Sequence, residues 1–421
     1  MKKIVIYLIL LILVSCQKRD ELPPRVIVNS PLAMSNYSVL DYIEIEGSVT
    51  DDRSIEWVQI QLLNSSLNSV AEEIVLNANE LEIDFSETLH IDDVHLSSGK
   101  YYIKVSASDG TNEVSKFIEI NISEIPLELK GTYIITKNNQ QFDLYSVNGN
   151  STVFEHNFNG SFQLGISNSY HQHLFLASNL TGFGFDPTYS YNLWTLDSEP
   201  SNYPYFLRGV FSVEDQLNYI SHGNGSIKGY NKYGNIGSSV ITDFNETPED
   251  LLVYDNKIYA EVFSSALNRD LVVYFKGTGL ESQRLAINQD IISIQPKSEE
   301  EIYLFTNENE QGYFYMYFVN TNLKSELHSI PSGSIHDVIL ISSDLIMIAH
   351  ETGLLRYTFN NNSLVNVVPG EQFSKLNYDP LNGVLLASNG NQLKYYSLLG
   401  DPLGVVNHTG NIDDFYLFYN K

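Results

Sequence analysis

The chain has 421 residues, with 51 Asp and Glu against 24 Lys and Arg, so its formal net charge at neutral pH is −27. A surface this acidic repels phosphate backbones and anionic headgroups, which argues against a nucleic-acid partner and against membrane attachment by charge. Abundant Tyr (28) and Phe (21) beside only 2 Trp and 4 Met favour strands and turns over helices, so we predict an all-β protein.

The first residues predict export. Met1, Lys2 and Lys3 are followed by an unbroken apolar run over residues 4–14. A basic start before an apolar run of this length is typical of a secretory signal peptide. The run is too short for a permanent transmembrane helix, which needs about 20 apolar residues. We therefore predict a signal peptide over residues 1–15.

Cys16 is the only cysteine, so it has no partner for an internal disulfide. The sequence "LVSC" that ends at Cys16 resembles the lipobox of bacterial lipoproteins. The resemblance implies cleavage before Cys16 and attachment of lipid to its sulfur, which gives a stable membrane anchor. It also implies a place in the cell envelope, for which we expect the outer membrane, facing the periplasm or the outside. The alternative is an ordinary signal peptide with an incidental cysteine.

The first folded region is predicted to be a β-sandwich over residues 25–122. Residues 16–24 precede it, end in two prolines and predict a tether. The region contains seven short runs of strand composition, separated by turn residues. In the run "YYIKVSAS", Tyr101, Ile103 and Val105 alternate with polar side chains, as in a sheet that packs on one face.

Two stretches, "IEGSVTDDRSIEWVQIQL" and "SSGKYYIKVSASDGTNEVS", resemble bacterial immunoglobulin-like or fibronectin-III-like domains. The resemblance implies a fold without a particular function. We expect Trp57 to fill the core between the two sheets. Asp51 and Asp52 are interpreted as a polar turn rather than a calcium site, because calcium needs six to eight oxygen ligands.

Residues 123–130 are predicted to be a linker, and residues 131–421 contain a weak repeat. Each copy reads as strands separated by turns, and clear copies begin at Asp250, Asp290, His336 and Phe373. The copies are spaced by roughly 40 residues, the period of a four-stranded propeller blade. Looser copies precede them over residues 161–207 and 208–243.

The two ends of the repeat region complement each other. The chain finishes with a lone strand, "NIDDFYLFYNK", and the segment after the linker has three strands. Pairing the last strand with those three closes a ring and leaves no open edge. The predicted fold is therefore a seven-bladed β-propeller, with six or eight blades open because the copy around Asp186 is irregular. The region resembles bacterial β-propellers by pattern only, so it implies no catalytic residue, metal or cofactor.

Residues 182–194, "GFGFDPTYSYNLW", are predicted to form a long aromatic loop that binds a ligand. Long loops on a rigid scaffold often carry binding. The candidate side chains form a platform for a sugar ring or a partner side chain, and residues 201–206 add further aromatics. They are Phe183, Phe185, Tyr189, Tyr191 and Trp194. The alternative is that most of them pack between blades.

Two further groups of polar residues are weaker candidates. His171 and His173 would lie on one side of a strand, but a catalytic zinc site needs a third protein ligand, so we interpret them as hairpin polar residues. Asp413 and Asp414 open the last strand, where a central funnel lined with such residues would bind a sugar or a metal.

The sequence thus predicts a lipid-anchored, non-enzymatic binding or scaffold protein. Its expected partner is a protein or a glycan, recognised through propeller loops. The alternative is a propeller enzyme that hydrolyses or cleaves a glycan at the central funnel, which requires convergent acidic, His or Tyr side chains there.

Overall fold

A computed structural model describes residues 22–138, 140–201, 203–265 and 268–421. The predicted signal peptide, Cys16 and most of the predicted tether lie outside the described residues. Every regular element in this described part is a strand, so the all-β class is confirmed. Among the same residues, no helix has the length and apolar character needed to cross a membrane.

The chain divides into two compact units, one that ends at Pro126 and one that spans Leu127–Lys421. The division falls within residues 123–130, which the sequence predicts to be a linker. Strands occupy part of that linker, because the last strand of the first unit ends at Ser123 and the next strand begins at Leu129.

Among its described residues, the first unit contains six strands in one sheet, with the order β1-β3-β5-β6-β2 and with β4 paired to β3 off this path. They are β1 (Arg25–Ser30), β2 (Ser35–Ser38), β3 (Tyr42–Leu63), β4 (Ile74–His90), β5 (Gly99–Ser108) and β6 (Glu113–Ser123). The long strand β3 pairs with β1 through its first half and with β5 through its second half, while β4 pairs along both halves. β2 pairs with β6 in parallel, and the other pairings are antiparallel.

A single hydrophobic core fills the first unit. Tyr101, Ile103 and Val105 are buried in it, as their alternation along β5 predicts. Trp57 is a correction, since it is only half-buried and lies outside this core. The register of β3 against β4 shifts between Ile55 and Trp57, so the inward positions of the second half fall on Val58 and its alternate neighbours.

The second unit contains 28 strands among its described residues. They are β7 (Leu129–Asn138), β8 (Gln141–Asn148), β9 (Ser151–Asn159), β10 (Phe162–Asn168), β11 (His173–Ser178), β12 (Thr181–Asp186), β13 (Tyr191–Asp197), β14 (Phe206–Ser212), β15 (Leu217–His222), β16 (Ser226–Tyr230), β17 (Ile236–Ile241), β18 (Thr247–Tyr254), β19 (Lys257–Ser265), β20 (Asn268–Phe275), β21 (Glu281–Ala286), β22 (Asp290–Ser298), β23 (Glu301–Glu308), β24 (Gln311–Phe318), β25 (Leu323–Ser332), β26 (Ile335–Ser342), β27 (Leu345–His350), β28 (Gly353–Thr358), β29 (Ser363–Pro369), β30 (Lys375–Asp379), β31 (Val384–Asn389), β32 (Gln392–Tyr396), β33 (Pro402–Asn407) and β34 (Asp414–Tyr419).

These strands form four-stranded antiparallel sheets, each made of four consecutive strands from β10 to β33, and one further sheet in the order β34-β7-β8-β9. The first strands of neighbouring sheets contact each other in a cycle that runs β10, β14, β18, β22, β26, β30, β34 and back to β10. A separate hydrophobic core lies between each pair of neighbouring sheets. The sheets therefore pack face to face around a closed cycle.

The last strand of the chain belongs to the sheet that contains β7. Phe415 pairs with Ile134 and Leu417 pairs with Thr132 in the antiparallel ladder of β34 and β7. The backbone N–H of Lys137 donates to the Asp413 carboxylate at one end of this ladder, over 2.7 Å. Phe415, Leu417 and Phe418 are buried, so both neighbouring cores include this strand.

A buried polar side chain lies near the end of the second strand in each of these sheets. Most of them make a hydrogen bond or an ion pair, which offsets part of the cost of burying them. His350, for example, lies 2.9 Å from the carbonyl oxygen of Gly333, and Ser388 lies 2.9 Å from the hydroxyl of Ser374. The residues are Thr136, Ser178, His222, Glu261, Thr306, His350 and Ser388.

Candidate functional site

Residues 182–194 are not a long loop, which corrects the prediction. They form strands β12 and β13, joined by a short turn at residues 187–190. Phe185 is fully buried and Phe183 packs against the same core. Tyr189 and Tyr191 are exposed, with Tyr189 at 76%.

Trp194 also belongs to the packing between strands. Its indole lies 5.7 Å from the ring of Phe175 between centroids, and its N–H donates to the carbonyl oxygen of Lys232 over 2.8 Å. Gly184 lies directly under the indole, since a Cβ there would be 2.2 Å from a ring carbon. The five aromatic side chains therefore do not form one exposed platform.

The two predicted hairpin histidines lie side by side, with their rings parallel and 6.2 Å apart between centroids, but their burial differs. His173 is fully buried, and its Nε2 lies 3.1 Å from the side-chain nitrogen of Asn218. Burial lowers the pKa of His173 to about 4, so the ring is neutral at pH 7. His171 lies 3.2 Å from the carbonyl oxygen of Gln216. In the described part of the chain, neither histidine belongs to a cluster of three metal-ligating side chains.

A groove of about 760 Å³ lies at one end of two neighbouring sheets, and we call it the rim groove. Its apolar side chains are Tyr203, Ile241 and Phe244, which are 43%, 78% and 92% exposed. Phe244 lies in the connection from β17 to β18, and a hydrogen bond from the Glu246 N–H to the Asp243 carbonyl closes this turn over 3.1 Å. The backbone that carries the exposed ring is therefore held in place.

Carboxylates surround these apolar side chains. Asp243 is in the groove, and its side chain is 82% exposed although one of its oxygens lies 3.7 Å from Arg284 Nη2. Glu246 also lines the groove and accepts hydrogen bonds from Arg284, the shorter over 2.7 Å. The rim groove thus combines an exposed aromatic ring with negative charge.

The rim groove and the tyrosines of the predicted loop lie at opposite ends of the sheets. In an antiparallel sheet, the turn between the second and third strands and the connection that leaves the fourth strand are at the same end. Phe244 is in such a connection, whereas Tyr189 is in a turn between a third and a fourth strand. A partner on the rim groove would therefore not cover Tyr189.

A second cavity, of about 460 Å³, lies where the first strands of all these sheets meet, and we call it the channel. Its wall combines charged, polar and apolar residues from strands that are far apart in the sequence. Six of its charged or phenolic residues lie on first strands, namely Arg208, Asp250, Asp337, Lys375, Asp414 and Tyr416. Lys137 and Asp413 also line it and pair with each other over 3.4 Å, so both aspartates that open the last strand lie on the channel wall.

Internal contacts hold several of these channel side chains. Arg208 Nε lies 2.8 Å from Asp250 Oδ1. The Tyr416 hydroxyl donates to Asp414 Oδ2 over 2.7 Å, and the N–H of Leu376 donates to Asp337 Oδ2 over 2.8 Å.

Burial shifts the protonation of the channel groups. It raises the pKa of Asp250 to about 6, although Arg208 and Lys375 oppose the shift. Burial also raises the pKa of Asp414, again against Lys375, and raises that of the Tyr416 phenol well above its ordinary value. Tyr416 is therefore a neutral hydrogen-bonding group at pH 7.

The acidic cluster formed by Glu249, Glu261 and Asp290 is the candidate cation site that the described residues contain. Arg269 already occupies it, with one guanidinium nitrogen 2.9 Å from Glu249 and 3.0 Å from Asp290 and in contact with Glu261. Burial raises the pKa of Glu261 despite this arginine. The cluster is therefore a network centred on Arg269 that joins two neighbouring sheets.

Sequence reasoning missed the rim groove and most of the channel. Phe244 is a single aromatic residue in a polar turn, and only the neighbouring prediction of aromatics over residues 201–206 pointed near it. Within that stretch Tyr203 is exposed, while Tyr205 and Phe206 are buried. Of the residues that line the channel, the sequence analysis singles out Asp413 and Asp414.

Four-stranded sheets that pack in a closed cycle around a channel define the Leu127–Lys421 unit as a β-propeller. No protein-family profile matches the chain, and no curated protein sequence is similar to it. Among solved structures, it is similar to the β-propeller domain of Cps50 (Swd1) from Myceliophteria thermophila, with a TM-score of 0.48 and 12% identity over 60% of this chain and 89% of that chain. It is also similar to the Dos1 propeller, with a TM-score of 0.47 and 11% identity over 70% of this chain and 93% of that chain.

Proposed function

We propose that the chain is a lipid-anchored protein of the bacterial cell envelope that binds a protein partner through the rim groove. The observation that carries this proposal is the 92% exposure of Phe244 beside Ile241, on a turn with fixed backbone. Contiguous exposed apolar groups rimmed by polar residues mark interaction sites, and aromatic side chains supply much of the energy at such sites.

The partner surface should be apolar at its centre and basic at its edge. The exposed Asp243 carboxylate beside Phe244 favours a Lys or Arg on the partner. The net charge of −27 adds long-range attraction for a basic protein and increases its rate of association. A glycan would satisfy the aromatic ring but would gain nothing from this charge, so a protein is the partner that we propose.

The architecture that we propose has three parts. Lipid at Cys16 anchors the chain, an immunoglobulin-like sandwich over residues 25–122 acts as a spacer, and residues 131–421 form a seven-bladed propeller closed by its C-terminal strand. The parallel pairing of β2 with β6 and the split pairing of β3 support the immunoglobulin-like assignment. The cycle of first strands that includes β34 supports the blade count.

Photo-crosslinking in cells tests the groove. A benzoylphenylalanine replaces Phe244 in one strain and Tyr189, at the opposite end of the sheets, in a matched strain. We expect one crosslinked species at position 244 that is absent at position 189 and is lost when Ile241→Ser is added. Its yield should fall at high salt, because charge contributes to the encounter.

Three outcomes would contradict the groove proposal. One is equal crosslinking at positions 244 and 189, and another is a yield that Ile241→Ser does not change. The third is a crosslink between two copies of this chain, which would assign the groove to self-association.

The anchor is tested separately. Cys16→Ser should abolish incorporation of labelled palmitate and move the protein from the membrane fraction to the soluble fraction. An unmodified sulfur in the wild-type protein, shown by intact mass, would refute the lipid anchor without affecting the groove.

The alternative function is cleavage of a glycan in the channel. It is favoured by one observation, that Asp337, Asp414 and Tyr416 face the same cavity. Glycoside hydrolysis needs two carboxyl groups in different protonation states. If purified protein shortens a polysaccharide and Asp414→Asn stops the reaction, this alternative replaces simple binding.

A further inference from the structure

The channel contains charges of both signs that are only partly paired. Lys375 makes no ion pair or hydrogen bond through its ammonium group within the described residues, although four carboxylates share the cavity with it, those of Asp250, Asp337, Asp413 and Asp414. Arg208 pairs with Asp250 through Nε, and its side chain keeps 38% of its exposure. Hydrogen bonds from the protein account for one oxygen of Asp337, Oδ2.

These charges influence one another across the cavity. Lys375 lowers the pKa values of both Asp250 and Asp414, and Asp337 and Asp414 both favour the charged form of Arg208. The six residues come from five strands, β14, β18, β26, β30 and β34, so the ring itself holds them around one space.

The mixture of charges discriminates between classes of ligand. A simple anion would gain from Lys375 and Arg208 but would meet the carboxylates of Asp337 and Asp414. A simple cation would gain from Asp337 and Asp414 but would be repelled by Lys375 and Arg208. A neutral sugar would bring no charge to either set of side chains. A ligand with one negative and one positive group satisfies both sets of side chains.

We propose that the channel binds a small zwitterion of the amino-acid or dipeptide type. Its carboxylate would contact Lys375 and Arg208, and its ammonium group would contact Asp337 and Asp414. The cavity volume of about 460 Å³ lies within the range of roughly 300–1,000 Å³ that is usual for small-molecule sites. A zwitterion also carries no net charge, so the acidic surface does not repel it on approach.

Four ligands that differ in charge test the proposal by calorimetry on the full chain purified in detergent. Alanyl-alanine carries both charges, its N-acetyl derivative keeps only the carboxylate, its amide keeps only the ammonium, and maltose is neutral. We expect saturable binding of alanyl-alanine. Each blocked derivative should bind roughly tenfold more weakly or worse, because it loses a hydrogen bond between two charged groups.

Variants of the protein show which channel side chain contacts the carboxylate of the ligand and which contacts its ammonium group. Lys375→Gln should weaken alanyl-alanine roughly tenfold but leave the amide, which lacks the carboxylate, unchanged. Asp337→Asn should weaken alanyl-alanine but leave the N-acetyl derivative unchanged. Lys232→Gln and Asp197→Asn are matched controls at exposed positions away from the channel, and they should bind like the wild type. Circular dichroism checks that each variant is folded.

The result that overturns the proposal is equal affinity for alanyl-alanine and either blocked derivative, or no binding of alanyl-alanine at all. Binding of maltose in its place would also overturn it and would favour the glycan-cleaving alternative. Phe244→Ala should leave zwitterion binding intact, so failure of the groove proposal and failure of this one are distinguishable.

Discussion

The two units of the chain bury their cores in different ways. In the first unit, one hydrophobic core serves all six strands, and its buried polar residues among those described are two serines, Ser106 and Ser108. In the propeller, separate cores alternate with the sheets, and buried charged and polar groups recur along the cycle, such as Glu261 and His350. In the first unit every strand packs against one shared core. In the propeller each sheet packs only against its two neighbours, so the stability of the unit depends on closure of the cycle.

The largest effect should come from opening the cycle. Deleting residues 412–421 removes β34, whose Phe415, Leu417 and Phe418 are buried in two cores. Each such side chain is worth about 1.5–3 kcal/mol of burial, and β7 would lose one of its two ladder partners. We expect hydrogen exchange measured by mass spectrometry to show loss of protection across residues 129–159 and 375–407.

The first unit is the internal control for this deletion. Its exchange over Tyr42–Leu63 should not change, because its core contains none of the deleted residues. Unaltered protection of β7 would show that the last strand does not hold the cycle together.

A matched pair of core substitutions separates the two kinds of packing. Ile60 in the first unit and Ile302 in the propeller are both fully buried. Each change to Ala should cost about 2–5 kcal/mol. Ile60→Ala should raise exchange throughout the first unit, since its core is continuous. Ile302→Ala should raise it first in β18–β25, which surround its own core.

The comparison is decided by which strands show increased hydrogen exchange, not by how large the increase is. If Ile302→Ala raised exchange uniformly around the propeller, the separate cores would behave as one cooperative unit. Folding of both variants is checked by their retained β-sheet circular dichroism.

The sequence predicts the strands well because their apolar character is local. The apolar second strands, such as His173–Ser178, and the roughly 40-residue spacing indicate where each sheet lies. The last strand is apolar and begins with two aspartates, and the sequence correctly predicts that it pairs with the first strand after the linker. Trp57 escapes prediction because a register shift, which leaves no sequence signal, turns it out of the core.

The sites escape prediction for a different reason. Gly182 and Gly184 resemble turn residues in the sequence, but in the structure they make room for the rings of Phe175 and Trp194 inside a sheet. The channel residues Arg208, Asp250, Asp337 and Lys375 are each about 40 residues or more from the next, so no local motif joins them. Phe244 is exposed because of its turn, and one aromatic residue in a polar turn carries no distinguishing pattern.

A smaller effect is expected from a substitution at Gly47, where strands β1 and β3 of the first unit lie close together. A Cβ on Gly47 would lie 2.2 Å from the carbonyl oxygen of Ile27 and 2.6 Å from the Phe85 ring. Gly47→Ala should therefore cost about 1–3 kcal/mol in the free energy of unfolding, as overpacking does. Gly99→Ala is the matched control, because a Cβ there meets no atom within 4 Å.

Denaturant unfolding followed by tryptophan fluorescence reports this difference, since Trp57 lies in the same unit and the signal of Trp194, in the propeller, is common to both variants. Equal midpoints for the two alanine variants would mean that β1 and β3 can move apart without cost.

The smallest effect concerns the buried charge that distinguishes the propeller from the first unit. Burial raises the pKa of Glu261 above its ordinary value of 4.5, while Arg269 opposes the shift and Glu249 adds to it. The folded state therefore holds this proton more tightly than the unfolded state. The stabilisation is complete below pH 4.5 and is lost as the pH rises through the higher folded value.

The melting temperature of the propeller should consequently decline with rising pH by a few degrees more in the wild type than in Glu261→Gln, where this proton is absent. Calorimetric scans of both proteins from pH 5 to 9 measure the difference, in which the contributions of other groups such as Asp250 and His222 cancel. Parallel pH profiles would show that Arg269, together with Asp290 and Glu249, keeps Glu261 ionised, and that this network stabilises the junction between the two sheets at every pH.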